Sequence, residues 1–391
     1  MASLFEIGKS GVQAYRQALS VTGQNIANVN TDGYNKRAAD LEEVPSVQGG
    51  VTNVPDQSGL GVRVNQVRRS FDAFLSSNLR DTNGHYEKLD RYVDKLNKLE
   101  NMLLPSDSDL GTFIGRFFSS LQDVASRPDE LSARTVALEN GKALANSFNN
   151  YDNQLKNFKS NAHEEVKDDL KVVNSLVDQL AQVNKLIMSG GSKNSPPDIL
   201  DARDQLLLDL SKYINFTVDY GDSDDAIIRL GNSGNGKILL EKTDKSILSS
   251  DIQEGRLIFN ISRNALNSMN NDISSGILFG VKNFYDFVGE VESEINQLAS
   301  RLSQNFNEIQ QNGIDLNGKT GMSIFSVNSM KPNIQQNIGG FDVDMIVGNE
   351  DLINQEKMIF KYLSSSNSWE VSSSEGIKTY GNNNLNFQGF S

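Results

Sequence analysis

Histidine is the residue that could most readily transfer protons or bind a metal in this chain, and there are only two, His85 and His163. A metal pair on a helix needs its second ligand three or four residues away, on the same face. Asp81 lies four residues before His85, but the intervening Asn83-Gly84 pair is expected to interrupt that face. The sequence therefore gives His85 no convincing metal partner.

His163 lies three residues before Val166, within a heptad pattern of apolar residues. A histidine there usually packs or fills helix surface, and Glu164 and Glu165 beside it face the wrong way to share a metal ion. Cysteine is absent, which excludes a thiolate metal site, a disulfide and a cysteine nucleophile together. We predict no metal, no other cofactor and no catalytic residue.

Two loops resemble ligand-binding loops only in part. Residues 315–321 suggest a calcium loop, but Lys319 stands at the fifth position and Ser326 at the twelfth, where oxygen ligands are required. Residues 231–236 are rich in glycine but precede a strand pattern, which predicts a hairpin connection and not a phosphate-binding loop. No histidine stands near a candidate serine nucleophile motif, so a Ser-His-Asp site has no support.

The net charge of −13 excludes a typical nucleic-acid-binding protein, which needs a basic face. The one short basic pair near aromatic residues is Arg68-Arg69, ahead of Phe71 and Phe74, and we expect it at the solvated edge of a helix. Residues 1–9 lack a secretory signal, and no apolar run reaches the roughly 18 residues of a membrane span. An exported chain of this kind would leave the cell by a route that removes no leader.

The first thirty residues predict one amphipathic helix with a narrow apolar stripe. Eight positions in steps of three or four share one face: Leu4, Gly8, Gly11, Tyr15, Ala18, Thr22, Ile26 and Val29. Several are small, so the helix would bury too little to be stable alone, and we expect it to be disordered until a partner packs on it. Gly33 can adopt the left-handed conformation that closes a helix.

Three later heptad patterns indicate long packed helices. They run through Phe71, Leu75, Leu79, Tyr86, Leu89, Val93, Leu96, Leu99 and Leu103; through Val166, Leu170, Val173, Val177, Leu180, Asn184 and Ile187; and through Phe284, Val288, Val291, Ile295, Leu298, Leu302, Phe306 and Ile309. Asn184 is the kind of buried polar residue that fixes the register of a helix pair. Shorter helices are predicted at about 109–126 and 199–214.

Alternating patterns predict strands elsewhere, first as an edge strand or extended arm at 61–67, then from residue 215, and again at 345–347 and 385–387. We predict an α+β fold, an elongated antiparallel helical bundle or coiled-coil rod with small inserted β domains. Its segments are a core helix at 1–37, a helical rod with an extended arm at 38–214, a β domain at 215–272, a return helix at 273–313 and a second β-rich domain at 314–391, apparently cut short.

The sequence QNIANVNTDGY at residues 24–34 resembles the N-terminal motif of bacterial flagellar rod, hook and hook-associated proteins. Later elements resemble one family among them, the hook-associated proteins that join hook to filament. These are GLGVRV at 59–64, VRRSFDAFL at 67–75, FFSSLQDVASRP at 117–128, LDARDQL at 200–206, FN at 306–307 and GIDLNG at 313–318. They follow the family order and span nearly the whole chain.

The resemblance implies a structural subunit that type III export carries outside the cell unfolded, with an N-terminal helix that pairs with a C-terminal one. Its implied partners are other copies, the hook protein, a second junction protein and an export chaperone, with no nucleic acid and no membrane. We place the assembly interface on residues of the first motif: Asn25, Ile26, Asn28, Asn30, Thr31, Gly33 and Tyr34. Alternatively, residues 30–33 form only a helix cap and turn.

Two alternatives stay open from the sequence. A hook or rod protein would share the first motif but should lack the elements at 59–80 and 202–205, and a flagellum-associated hydrolase would need a carboxylate in a cleft. The family members end in a second core helix, whereas residues 385–387 continue a strand pattern. From this departure we expect a partial chain.

Overall fold

The computed structural model describes residues 4–44, 61–104, 109–190, 195–253, 255–263, 266–270, 272–315, 318–326, 359–363, 368–373 and 376–381. Within these ranges the helices are α1 (Leu4–Ala27), α2 (Ala73–Leu103), α3 (Leu110–Ser126), α4 (Leu131–Gly190), α5 (Pro197–Tyr213) and α6 (Ile277–Asn312). The two shorter helices thus match their predicted positions closely. Asp109 caps the start of α3 by accepting a hydrogen bond from the Thr112 amide.

The strands are β1 (Arg37–Glu43), β2 (Val62–Arg69), β3 (Phe216–Tyr220), β4 (Ala226–Leu230), β5 (Ile238–Glu241), β6 (Asp244–Lys245), β7 (Ile247–Gln253), β8 (Arg256–Arg263), β9 (Leu266–Asn270), β10 (Ile359–Leu363), β11 (Ser368–Ser373) and β12 (Gly376–Gly381). They form antiparallel sheets in the orders β1-β2, β3-β4-β5-β6, β7-β8-β9 and β10-β11-β12. The α+β class with inserted sheets is therefore confirmed. The strands predicted at 345–347 and 385–387 lie outside the described residues.

The chain divides into two compact units. Unit 1 comprises Met1–Leu104 and Asn157–Gly289, and unit 2 comprises Pro105–Lys156 and Glu290–Ser391. Helices α4 and α6 each contribute residues to both units. The segment boundaries proposed from the sequence, and the disorder of residues 1–37 before assembly, stay predictions.

Unit 2 has an aromatic core built from α3, α4 and α6. Phe117 and Leu144 are almost fully buried, and the Phe117 ring lies 5.2 Å from that of Phe306 and 5.7 Å from that of Phe325. Phe325 is held in place because Asn307 bonds both its amide and its carbonyl. The third heptad therefore contributes to this core through Phe306.

The second heptad is the core of α4, and all seven of its members are buried. The predicted role of Asn184 is wrong, however, because its partners are the first residue of β4 and the turn between β5 and β6, and not a paired helix. Its Nδ2 donates to the carbonyls of Ala226 (2.8 Å) and Lys242 (2.9 Å), while its Oδ1 accepts from the Ala226 amide. The Asn184 side chain therefore satisfies the backbone amide and carbonyl of the first residue of β4.

Helix α2 runs unbroken through Asn83-Gly84, so the predicted interruption is wrong. Gly84 instead permits close packing, because a Cβ there would lie 3.0 Å from the Ser211 carbonyl oxygen of α5. The continuous helix also brings His85 Nε2 within 3.7 Å of Asp81 at its exposed surface. Glycine weakens a helix interior by about 1 kcal/mol, which packing against neighbouring elements can offset.

The ionised carboxylate of Asp169 on α4 destabilises the folded state at neutral pH. Burial, with repulsion from Glu165, raises its pKa to about 6 from 3.8, although Arg91 opposes the shift, and its Oδ2 has no hydrogen-bond partner. A carboxyl whose pKa rises on folding stabilises the fold below pH 4, and this contribution is lost as the pH rises through 6.

We therefore expect Asp169→Asn to raise the free energy of unfolding by about 1 kcal/mol at pH 7, a figure reduced for solvent screening. The gain should vanish below pH 4, where the wild-type carboxyl is protonated in both states. Urea unfolding of the full chain between pH 3.5 and 7.5 measures it. Asp168→Asn is the control: that exposed neighbour pairs locally with Lys171 and is only a lesser cause of the raised pKa of Asp169, so its gain should be much smaller. A pH-independent effect of Asp169→Asn would contradict the expectation.

Candidate assembly surface

Helix α1 packs on the β1–β2 hairpin through one face of small residues. Ala14 and Val21 are its buried apolar side chains. Near the start of the helix, Ser10 Oγ accepts a hydrogen bond from the Val62 amide at 3.2 Å, and a Cβ on Gly61 would overlap that hydroxyl. The hairpin therefore supports α1 while burying little apolar area.

A different face of α1 carries a heptad of exposed side chains. Its positions alternate in steps of three and four: Phe5, Gly8, Val12, Tyr15, Leu19, Thr22 and Ile26, with Val29 just beyond the helix. Leu19 is 69% exposed and Ile26 is 70% exposed. The predicted stripe shared Gly8, Tyr15, Thr22, Ile26 and Val29 with this heptad, but it missed Phe5, Val12 and Leu19. We call the observed set the α1 heptad surface.

The end of α1 is fastened to the first strand by Asn25. Its Oδ1 accepts from the Arg37 amide and from the Tyr34 hydroxyl, both at 2.9 Å, while its Nδ2 donates to the Arg37 carbonyl at 2.8 Å. The guanidinium carbon of Arg37 lies 4.9 Å from the centre of the Tyr34 ring. Asn25 and Tyr34 thus hold the turn within the chain, whereas Ile26 beside them faces solvent.

The other predicted interface residues form the turn itself. Asn28 donates to the Gln24 carbonyl and accepts from the Thr31 hydroxyl at 3.3 Å, and Asn30 is exposed. Gly33 has φ +76°, the left-handed conformation expected from the sequence. A Cβ there would lie 2.7 Å from Gln205 Oε1, so this position also lets the turn approach α5.

A cluster of arginines and aspartates joins the hairpin to α5. Arg69 Nη1 binds Asp201 Oδ1 at 2.7 Å and Asp204 Oδ2 at 2.9 Å, while Arg37 Nη2 binds Asp201 Oδ2 at 3.1 Å. Asn35 Nδ2 also donates to Asp201 Oδ1 at 2.9 Å. The predicted solvated position of Arg69 is wrong: it lies on a strand with a side chain only 7% exposed. Buried acidic partners on a distant helix explain the difference.

Arg203 extends the cluster from α5 toward the sheet formed by β3, β4, β5 and β6. Its Nε binds Asp204 Oδ1 at 3.0 Å, its Nη1 donates to the Asp224 carbonyl at 2.9 Å, and its guanidinium lies 4.5 Å from the centre of the Tyr220 ring. Burial lowers the pKa of the nearby Arg80 and raises the pKa of Tyr220. These groups therefore extend the polar contact from α5 to the sheet that contains β3 and β4.

The sequence contained a signal for this cluster that pattern reasoning did not use. Asp201, Arg203 and Asp204 stand in the LDARDQL segment, and Arg69 stands in VRRSFDAFL; both segments carried the family resemblance. Which charges meet could not be inferred from either segment alone. In the described part of the chain, no group of three or more His, Cys, Asp or Glu side chains is arranged to hold a metal ion. No described helix is both long and apolar enough to cross a membrane.

A helix with an exposed heptad, held by a hairpin and a buried ionic cluster, defines a helical subunit of a protein assembly. The model of the flagellar hook-associated protein FlgK helical domain matches residues 96–325, and that of the flagella basal body rod protein matches residues 5–35. The chain belongs to the FlgK family of flagellar hook-associated proteins, a structural family of the bacterial flagellum. The predicted resemblance is confirmed.

Individual relatives agree with the family. The flagellar hook-associated protein 1 of Bacillus subtilis is 28% identical over 82% of this chain and 69% of its own length. The Salmonella typhimurium protein of the same name is 26% identical over 97% of this chain and 69% of its own length. The fold is similar to that of the flagellar hook junction protein FlgK from Burkholderia pseudomallei, with a TM-score of 0.67 and 19% identity over 80% of this chain. The chain spans 59% of that solved chain.

Proposed function

We propose that this protein is a non-enzymatic structural subunit that joins the hook to the filament of the bacterial flagellum. The observation that carries the proposal is the α1 heptad surface, which presents apolar residues at coiled-coil spacing and leaves them exposed among the residues that the structure describes. Family membership supplies the setting, because its named members are hook-associated and one solved member is called a hook junction protein.

The α1 heptad surface would gain most of its stability from a second helix. Phe5, Val12, Leu19 and Ile26 repeat every seven residues and are all largely exposed. Each large apolar side chain contributes about 1.5–3 kcal/mol when fully buried, so covering this row would outweigh the few apolar contacts of α1 within the chain. The helix that covers it would be the C-terminal core helix that the family resemblance implies, or a helix of a neighbouring copy or another flagellar component.

Helix α2 presents a second exposed apolar row in unit 1. Its members are part of the first predicted heptad: Leu75, Leu79, Tyr86, Leu89 and Val93. Contiguous apolar rows of this length are rare on monomers and mark interaction surfaces. The heptads therefore divide into those of α4 and α6, which contribute to cores within the chain, and the rows on α1 and α2, which are exposed and available to partners.

The remaining roles follow from the family and the surfaces together. The subunit would be exported unfolded by the flagellar type III apparatus with the aid of a chaperone and would act outside the cell. Its partners would be other copies, the hook protein and the second junction protein. We place the assembly contacts at Ile26, Asn28, Asn30 and Thr31, which are adjacent to the α1 heptad surface, while Asn25, Gly33 and Tyr34 shape the turn that presents them.

We expect Leu19→Asp to reduce assembly with hook and filament components at least about tenfold, because a charge would be buried in place of an apolar contact. Sedimentation and negative-stain microscopy of the purified mixture measure it. Ser20→Asp adds the same charge at the adjacent exposed position outside the heptad and should assemble normally. Normal assembly of Leu19→Asp, or equal loss in both variants, would count against the proposal.

A further inference from the structure

We infer that Asp201 is a positioning residue for assembly: by binding Arg37, Arg69 and Asn35 together, it fixes the orientation of helix α1 relative to helix α5. The inference rests on the proposed function, since orientation matters only if the α1 heptad surface meets a partner. It concerns unit 1 alone and adds a residue to the assembly machinery that does not itself touch the partner.

Helix α1 and the hairpin form one body. The main tertiary contacts of α1 are with β1 and β2. Hydrogen bonds fasten both ends of the helix, through Ser10 to Val62 and through Asn25 to Arg37. Whatever orients the hairpin therefore orients the α1 heptad surface.

The hairpin is held against α5 at one end. Arg37 and Arg69 stand opposite each other in the strand register, and both bind the same carboxylate. Asn35, just before β1, adds a third hydrogen bond to Asp201, and Asp204 receives a second bond from Arg69. Groups from both sides of the hairpin thus converge on one turn of α5.

The chemistry of this contact favours a role in orientation over one in stability. Buried ion pairs lose much of their Coulombic gain to desolvation, and apolar residues often stabilise the same position at least as well. Apolar contacts are not directional, however, whereas charge-assisted hydrogen bonds constrain both distance and angle. Three such bonds on the 10%-exposed Asp201 side chain leave the hairpin little freedom to swing.

A small swing would have a large effect at the far end of α1. The helix has 24 residues, so it is about 36 Å long. A tilt of about 10° at the hairpin would move the start of the helix by about 6 Å, which is as large as the spacing of neighbouring side chains on a helix surface. The orientation of α1 must therefore be correct for its heptad to match a partner.

The test uses the full chain, which has no cysteine, so that Gln13→Cys on α1 and Lys185→Cys on α4 can carry two spin labels. Pulsed electron paramagnetic resonance then measures the distribution of the distance between them. We expect Asp201→Asn to broaden this distribution at least twofold and to slow assembly. Asp209→Asn is the matched control, since Asp209 lies on the same helix and pairs locally with Lys212; it should leave both measurements unchanged.

The remaining variants separate orientation from folding. Asp201→Glu keeps the charge, so its distribution of label distances should be narrower than that of Asp201→Asn. If Asp201→Asn loses helix content by circular dichroism, the comparison of the Asp201→Glu distribution with that of the wild type tests the inference instead. An unchanged distribution in the folded Asp201 variants would overturn the inference even if assembly slowed. Failure of the wild-type protein to assemble would refute the proposed function, whereas the distance measurement would still decide what Asp201 does.

Discussion

Replacing Gly280 with alanine is expected to destabilise unit 1 by about 2 kcal/mol, although alanine normally strengthens a helix interior. Gly280 lies in the first turn of α6, where that helix crosses α2. A Cβ there would lie 2.5 Å from the Lys88 carbonyl oxygen and 3.3 Å from its carbonyl carbon. Because the obstacle is the backbone of another helix, no side-chain rotation can relieve the overlap, and the two helices must separate.

Gly289 supplies the control on the same helix. A Cβ there would meet only the flexible end of Lys159, at 3.8 Å, so Gly289→Ala should raise the free energy of unfolding by about 0.5–1 kcal/mol. Urea unfolding followed by circular dichroism measures both variants. Replacing glycine with alanine should therefore lower the free energy of unfolding at position 280 and raise it at position 289, nine residues away. A stabilising effect at Gly280 would show that the crossing is looser than the structure indicates.

Asn184→Asp is expected to destabilise unit 1 by about 4 kcal/mol at pH 7, since it would bury an unpaired charge. The wild-type amide is fully buried and donates to two carbonyl groups, those of Ala226 and Lys242. A carboxylate has no hydrogen to donate and would repel both oxygens. Protonation restores one donor, so part of the lost stability should return as the pH falls through the raised pKa of the new carboxyl.

Asn174→Asp provides the comparison, because Asn174 makes a similar pair of bonds to the Leu248 amide and carbonyl but is only half-buried. Water can solvate a carboxylate there, so its cost should be at most half that of Asn184→Asp. Unfolding midpoints of the two variants and wild type between pH 4 and 8 provide the measurement. Equal costs, or a cost at position 184 that does not depend on pH, would contradict the account.

Periodicity alone was enough to predict the helical segments and the buried apolar face of α4. The α4 heptad was recognised from Val166 to Ile187, and each member is buried. Gly33 also adopts its expected left-handed conformation, although α1 already ends at Ala27 and Gly33 lies in the turn that follows. These features depend on residues near one another in the chain, and local spacing is what a sequence displays directly.

Hydrogen-bond partners that are distant in the sequence could not be predicted from periodicity. Asn184 was correctly expected to be buried, yet its hydrogen-bond partners are about 40 and 60 residues away, at the start of a strand and in a turn between two strands. Asn25, Asn174 and Asn307 each bond the amide and carbonyl of one distant residue in the same manner. Nothing in an asparagine's immediate neighbours shows which backbone it will reach.

The sequence by itself determined the helical periods, the strand-forming segments and, through its motifs, the family. Only the tertiary structure decided which apolar faces are buried, that Gly84 allows close packing and does not break its helix, and that Arg69 meets Asp201 across 132 residues. The physical reason is that helix and strand preferences act over a few residues, whereas burial and charge pairing depend on which distant surfaces come together. The same sequence pattern, an apolar heptad, therefore forms the core on α4 and an exposed surface on α1.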